Sequence, residues 1–148
     1  MAYIIPNFTH PTNASDHNDT YCNFAITRYN GIMRAEISIY KDRQSYLGKK
    51  KSIYNATIAV TNDDFTLFFT DTVLKEEGKN LKTQMYLFLL SLSADKYPSI
   101  SFDPQTTIKS LSEDQRNSFT WSEGDIIYNE ASSQKEIYTN NQWQPYNS

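Results

Sequence analysis

Two histidines, one cysteine and four glycines are few for a chain of 148 residues, and each shortage removes a class of chemistry. The lone Cys22 can close no internal disulfide, so packing alone holds the fold. As a nucleophile it would need a neighbouring base, yet His10 and His17 both sit in a polar N-terminal stretch. A free cysteine opening a strand is instead a small core hydrophobe. Scarce glycine disfavours loops that cradle phosphates. No Gly-x-Ser-x-Gly elbow, His-Glu-x-x-His helix or paired cysteine occurs. No run of about 18 apolar residues is long enough to span a bilayer. Met1-Ala2-Tyr3-Ile4-Ile5-Pro6 lacks the charged and apolar regions of a secretion signal. The net charge of −3 provides no bulk attraction to nucleic acid or to anionic lipid.

What the chain has in excess is 11 Tyr, 13 Asn, 13 Ile, 15 Ser and 14 Thr, a profile that favours β-structure with hydroxyls and aromatics on its surfaces. Hydrophobic residues at 39% and charged ones at 21% place it among globular chains. Asn7-Phe8-Thr9, Asn13-Ala14-Ser15, Asn18-Asp19-Thr20 and Asn55-Ala56-Thr57 match the glycosylation triplet. In a chain this rich in Asn, Ser and Thr, composition alone produces such triplets. A metal site could be written from His10, Asp16, His17, Asp19 and Cys22, but their spacings match no ligand pattern. The acids Asp63-Asp64, Glu76-Glu77 and Glu113-Asp114 stand side by side at turns and helix starts. Those places suit capping, whereas acid–base work needs carboxylates held apart across a cleft. No metal, cofactor or catalytic residue is expected, and the chain reads as non-enzymatic.

Residues 1–20 read as an extended N-terminal arm, polar from Pro6 onward, which in an assembly would lie across a neighbouring subunit. Residues 21–148 read as one β-rich domain. Its clearest element is a hairpin, Phe24–Tyr29 and Ile32–Tyr40 around Asn30-Gly31, a pair that favours the positive φ angles of a two-residue turn. That turn pairs Tyr29 with Ile32, Arg28 with Met33 and Ile26 with Ala35. A second hairpin is expected from Ser52–Val60 and Phe65–Phe69 across Thr61–Asp64. The competing reading, a helix over 64–77 capped by Asn62, is outweighed by Thr and Phe enrichment. Leu81, Met85, Phe88, Leu89 and Leu92 form a helical stripe, predicting a helix over about 80–95 with Asn80 as cap. Leu87 and Leu90 fall off that stripe, so the helix should be buried on more than one side. Tyr97–Phe102 reads as a short edge strand because of Pro98. Ser110 and Glu113 have capping-box spacing for a short helix near 111–117. An aromatic hairpin over 119–146 closes the chain, with a loop at 131–134 that sets Glu130 opposite Lys135 and Tyr128 opposite Ile137. The fold class is α+β, mainly β: an antiparallel sandwich or open barrel built from hairpins.

Two patches can carry contacts. Lys41, Arg43, Lys49, Lys50 and Lys51 are interleaved with Tyr40, Tyr46 and Tyr54, the pairing that single-stranded nucleic-acid binders use. In an acidic protein the same cations more often form a solvated loop that discourages edge-to-edge aggregation. Trp121, Tyr128, Tyr138, Trp143 and Tyr146 crowd the C-terminus. They suit a subunit interface or a sugar-binding face, or they form a small satellite core sealing one end of the sheet.

The run Trp121-Ser122-Glu123-Gly124-Asp125-Ile126-Ile127-Tyr128-Asn129, followed by Ile137-Tyr138 and Trp143, resembles small β-hairpin modules of bacteriophage tail, fibre and baseplate proteins. The resemblance covers about 25 residues. It departs from the family in the charged loop around Lys135 and the absence of glycine there. It implies a non-enzymatic virion role in contact with other subunits or with host-surface glycans. Asn-, Ile-, Lys- and Tyr-rich, Ala- and Gly-poor usage is consistent with an AT-rich phage genome. The expectation is a structural or assembly protein of a phage particle, a head or tail accessory subunit working in a homo- or hetero-oligomer. It would reside in the virion, or in the host cytoplasm during assembly, and not in a membrane. A nucleic-acid-binding β-domain using residues 41–54 and a small phage inhibitor of a host defence enzyme are the alternatives.

Overall fold

Asn30 and Gly31 turn the chain as their chemistry requires, with φ angles of 49° and 76° that match the twist of the flanking strands. Those strands, β2 (Asp16–Tyr29) and β3 (Ile32–Tyr40), pair in the expected register. Phe24, Met33, Ala35, Ile37 and Ile39 are buried on one side, while Glu36 is exposed on the other. The computed structural model describes residues 1–92 and 107–147. It places this hairpin in an open eight-stranded sheet ordered β4 (Tyr54–Ala59), β3, β2, β1 (Ala2–Thr9), β5 (Ile108–Leu111), β6 (Ile126–Asn129), β7 (Gln134–Thr139) and β8 (Gln142–Pro145). Every neighbouring pair is antiparallel except β5 with β6. The protein is therefore mainly β, with a mixed sheet.

The expected N-terminal arm is corrected: β1 lies in the interior of the sheet, with β2 on one side and β5 on the other. Ala2, Tyr3, Ile4 and Ile5 are all buried, because a strand covered on both faces needs a continuous apolar run and not alternation. β5 pairs only as far as Ile4, and the ladder with β2 skips from Ile5 to Asn7. Pro6 fills that gap, where its missing N–H removes no bond. Opposite it, Asp19 takes a φ of 50°. The far end of this hairpin then curls inward, so that Phe8 lies 5.9 Å from the Tyr54 ring on β4, three strands away. His10 anchors the curl, its ring 5.3 Å from Tyr54 and its Nε2 3.1 Å from the Ile53 carbonyl oxygen.

Five helices complete the described elements: α1 (Arg43–Leu47), α2 (Asn62–Phe68), α3 (Asp71–Leu74), α4 (Leu81–Leu90) and α5 (Glu113–Arg116). The second hairpin is a correction. β4 zips onto β3, Ile58 beside Ala35 and Ala56 beside Ile37, and the expected return strand is helix α2. Thr61 caps it, accepting from the Asp64 N–H at 3.1 Å and donating to the Asp64 carboxylate at 2.9 Å. Asp63 and Asp64 then sit in the first turn, where acids suit the positive helix end. That cap outweighs the β-preference of Thr66 and Phe68. A second cap, Thr70, starts α3, so the helical reading of 64–77 is broken in the middle.

Helix α4 forms as expected, with Asn80 and Thr83 in a reciprocal capping box, but of the predicted stripe Leu81 is exposed at the helix start. Met85, Phe88, Leu89 and Leu92 join Phe69 in one core with Tyr3, Phe24, Ile37 and Ile39. The described helices α2 and α4 thus cover the inner sheet face, and no second sheet is found among the described residues. The helix is buried on more than one side, but by Thr83, Gln84 and Tyr86; Leu87 is 48% exposed. Tyr86 joins the layers, its hydroxyl accepting from the Ala2 N–H at 3.1 Å while its carbonyl accepts from the Tyr3 hydroxyl at 2.8 Å. The edge strand expected at 97–102 and the end of the helix expected at 93–95 lie outside the described residues. The short helix is capped by Ser112 with Gln115, not by Ser110 with Glu113; Ser110 and Leu111 belong to β5.

Burial pushes the phenols of Tyr3, Tyr21 and Tyr86 above the ordinary tyrosine range, and Glu130 adds to the effect at Tyr21. An acid whose folded pKa is raised stabilises the fold fully below its unfolded value, about 10 for tyrosine, and loses that contribution as pH climbs toward the folded value. Thermal stability should therefore fall steeply above about pH 10, together with a cooperative rise of tyrosinate absorbance. A gradual, non-cooperative titration of all tyrosines would contradict it.

Candidate functional site

Just past α5, the chain lays Phe119 and Trp121 on the inner face of the sheet's far end. Trp121 is held there by its indole N–H, which donates to the Arg116 carbonyl at 3.0 Å. Its ring meets Trp143 edge-on at 4.9 Å, and Tyr138, paired with Trp143 across β7 and β8, lies 5.1 Å from that indole. Phe119 continues the contact inward to Trp121 at 5.4 Å and to Tyr86 at 5.5 Å. The module is an outward extension of the aromatic core. Two cations lie over these rings: Lys109 at 5.6 Å from Phe119 and 5.9 Å from Trp121, and Arg116 at 5.6 Å from Trp143. Burial holds the Lys109 ammonium below the ordinary lysine pKa, with Asp125 opposing. Such contacts are worth more when desolvated than when exposed.

Beside the rings lies a polar network built on Glu136, which is only 8% exposed. One carboxylate oxygen accepts from Asn129 Nδ2 at 2.9 Å and from the Ser132 hydroxyl at 3.0 Å; the other accepts from Arg116 Nη1 at 3.1 Å. Asn129 Oδ1 in turn accepts from the Ala131 N–H at 2.9 Å, which fixes the β6–β7 loop. A buried carboxylate is tolerated only when satisfied in this way. Glu113, Arg116, Ser132, Glu136 and Trp143 border an open cleft of about 470 Å³. With both of its carboxylate oxygens hydrogen-bonded, Glu136 gives the cleft a shaped, hydrogen-bonding wall.

Of the aromatic residues singled out in the sequence, the structure brings together Trp121, Tyr138 and Trp143. Tyr128 is on the other face, packed with Ala2, Ile4 and Tyr21. Tyr146 is half-buried at the chain end, its N–H donating to the Lys135 carbonyl. The hairpin register is corrected by two residues: Tyr128 pairs with Lys135 and Asn129 with Gln134, around a loop at 130–133. Glu130 leaves the ladder because its N–H donates to Leu111 and its carboxylate accepts from Tyr21 at 3.1 Å and Ser110 at 2.9 Å. A two-residue slip leaves every side chain on its face. Arg116 and Glu136 carried no motif, and Asn129 appeared only as the end of the Trp121–Asn129 run. Only the inward parity of Glu136, opposite Ile127, hints at a buried acid.

The basic patch is divided. Lys41, Lys49, Lys50 and Lys51 are exposed, but Arg43 is half-buried, 3.8 Å from Glu130. Tyr46 packs on Tyr21 and Tyr40 on the outer face, whereas Tyr54 joins Phe8 and His10 on the inner one. The tyrosines therefore offer no single stacking platform beside the lysines. The N-terminal polar residues are scattered too. His17 contacts Ser15, Asp16 accepts from Thr9, Asp19 pairs with Lys135 and Cys22 is wholly buried. Burial pushes the Cys22 thiol far above its ordinary value, which keeps it protonated and unreactive. Among the described residues no three metal-ligating side chains cluster, and no helix is long and apolar enough to cross a membrane.

These features describe a mixed-sheet α+β protein with an aromatic, charge-stitched cleft at one end. Compared with protein-family models, with curated proteins and with solved structures, the chain matches none.

Proposed function

We propose that the chain is a non-enzymatic structural or assembly subunit of a bacteriophage particle, a head or tail accessory protein acting through protein–protein contacts. The observation that carries this reading is the cleft between α5 and the β6–β7 loop, where a hydrogen-bonded Arg116–Glu136–Asn129 network meets the half-exposed Trp143. Aromatic and arginine side chains held rigid beside polar groups are the composition of interface centres. The same geometry favours protein over glycan as the partner. Sugar stacking needs an open ring face, and Lys109 and Arg116 lie over the two indoles. The resemblance of residues 121–143 to phage hairpin modules points to the virion, with the host cytoplasm as the site of assembly.

The test is the protein content of particles purified from the phage genome that encodes the chain. The expected result is a stoichiometric, multi-copy presence, with cross-links to other subunits from the 113–116 and 131–132 rims of the cleft. Ala131→Arg places a bulky cation on an exposed loop position. It should leave the melting temperature unchanged while lowering incorporation by roughly ten-fold, the effect of about 1.4 kcal/mol. A chain that is abundant in lysate but missing from particles would sink this reading and leave a free inhibitor of a host enzyme as its replacement.

A further inference from the structure

At the opposite end of the sheet from the cleft, β4 is an edge strand of unusual composition. It reads Tyr54-Asn55-Ala56-Thr57-Ile58-Ala59, with neither charge nor proline. Stable proteins blunt such edges with lysines, prolines or short strands; the other edge, β8, has four residues and ends in Pro145. The bond from the Val60 N–H to Met33 at 2.9 Å sets the phase of the β3–β4 ladder. Bonded and non-bonded pairs alternate from there, so Ile58 and Ala56 face β3 and the backbone groups of Asn55, Thr57 and Ala59 point outward. No bond from these three groups to another described residue occurs, and all three side chains are exposed.

We infer that this edge pairs with β4 of a second copy of the chain, antiparallel, with Thr57 at the two-fold axis. That register alone matches every outward group, Thr57 to Thr57 and Asn55 to Ala59, so each exchanges both of its bonds. The strand is neutral, so no like charges meet across the dyad, and threonine pairs are favourable neighbours. The flanks are complementary in sign. Lys51 and Asp63 lie six residues to either side of Thr57, and an antiparallel partner brings the exposed Lys49–Lys51 of one copy toward the exposed Asp63 of the other. Phe65 and Ile32, 37% and 45% exposed beside the end of β4, leave apolar surface that the approaching copy covers. The proposal is independent of the cleft and of any virion role.

Sedimentation of the purified full chain over a concentration series tests it. The wild type should dimerise reversibly. Thr57→Lys sets two cations on the axis, and Thr57→Pro removes an outward N–H at an edge position, where proline is tolerated. Each should raise the dimer Kd by at least about ten-fold with unchanged circular dichroism and melting temperature. Lys51→Glu and Asp63→Lys should each weaken the dimer, and the double variant should restore it. A wild type that stays monomeric at about 10⁻⁴ M, or a dimer indifferent to Thr57→Lys, overturns the proposal. A dimer broken by Thr57→Lys but not rescued by the charge swap overturns the antiparallel register.

Discussion

Removing residues 1–9 should leave a chain that no longer folds. Tyr3, Ile4, Ile5 and Phe8 are four buried side chains of β1, each worth about 1.5–3 kcal/mol when fully buried. Their sum, roughly 6–12 kcal/mol, equals the whole stability of an ordinary domain, about 5–15 kcal/mol. The deletion also strips the ladder partner from β2 and from β5 together and separates the β2–β4 half of the sheet from the β5–β8 half. The expected observations are loss of the cooperative thermal transition and collapse of amide chemical-shift dispersion. A truncated chain that melts cooperatively near the wild-type temperature would show that β1 is dispensable, as a mere arm would be.

Tyr86→Ala should be the most damaging single substitution. The side chain is 1% exposed and meets Tyr3 at 4.9 Å, Phe24 at 5.0 Å and Phe119 at 5.5 Å, each edge-on. Truncating an aromatic ring of this kind costs about 3–5 kcal/mol through lost transfer energy and the remaining cavity. The hydroxyl adds to this, since it accepts from the Ala2 N–H and donates to the Ser110 carbonyl at 3.4 Å. Leaving a buried N–H without an acceptor costs about 1–3 kcal/mol. Tyr86→Phe separates the two parts: it keeps the ring and should lose only about 1–3 kcal/mol. Denaturant titration measures both. A Tyr86→Phe loss equal to that of Tyr86→Ala would assign the whole effect to the hydroxyl and refute the packing account.

The elements legible in the sequence are those whose determinants are close in the chain. Asn30-Gly31 specifies its own turn, and the turn specifies the register of nine consecutive pairs from Tyr29–Ile32 to Tyr21–Tyr40. Asn80 and the apolar stripe behind it specify α4. Two elements differ from expectation for different reasons: the partner that decides β1 is remote, whereas the Thr61 cap that decides α2 is local and has the same composition as a turn. Pro6 and the polar residues after it suggested an arm, yet Ala2–Ile5 become an interior strand once β5, more than a hundred residues away, closes the other side. Residues 65–69 had the composition of a strand, but β3 supplies the ladder for β4, and the Thr61 cap sends the following residues into α2.

The candidate site divides along the same line. Trp121, Tyr138 and Trp143 could be picked from residue type alone, because large amphipathic rings near one another in a polar segment must be either packed or bound. Their contact depends on a parallel pairing of β5 with β6 and on α5, which carries Arg116 across to β7. Arg116 and Glu136 have no recognisable spacing, since a buried ion pair is chosen by the desolvation it must offset, and desolvation exists only in the assembled fold. The shortages noted at the outset determined what holds this molecule together: with one buried cysteine and few glycines, packing of aromatics and aliphatics supplies the stability. Which aromatics face the core and which edge of the sheet stays open were settled by tertiary structure, because burial and strand pairing depend on neighbours that local sequence does not name.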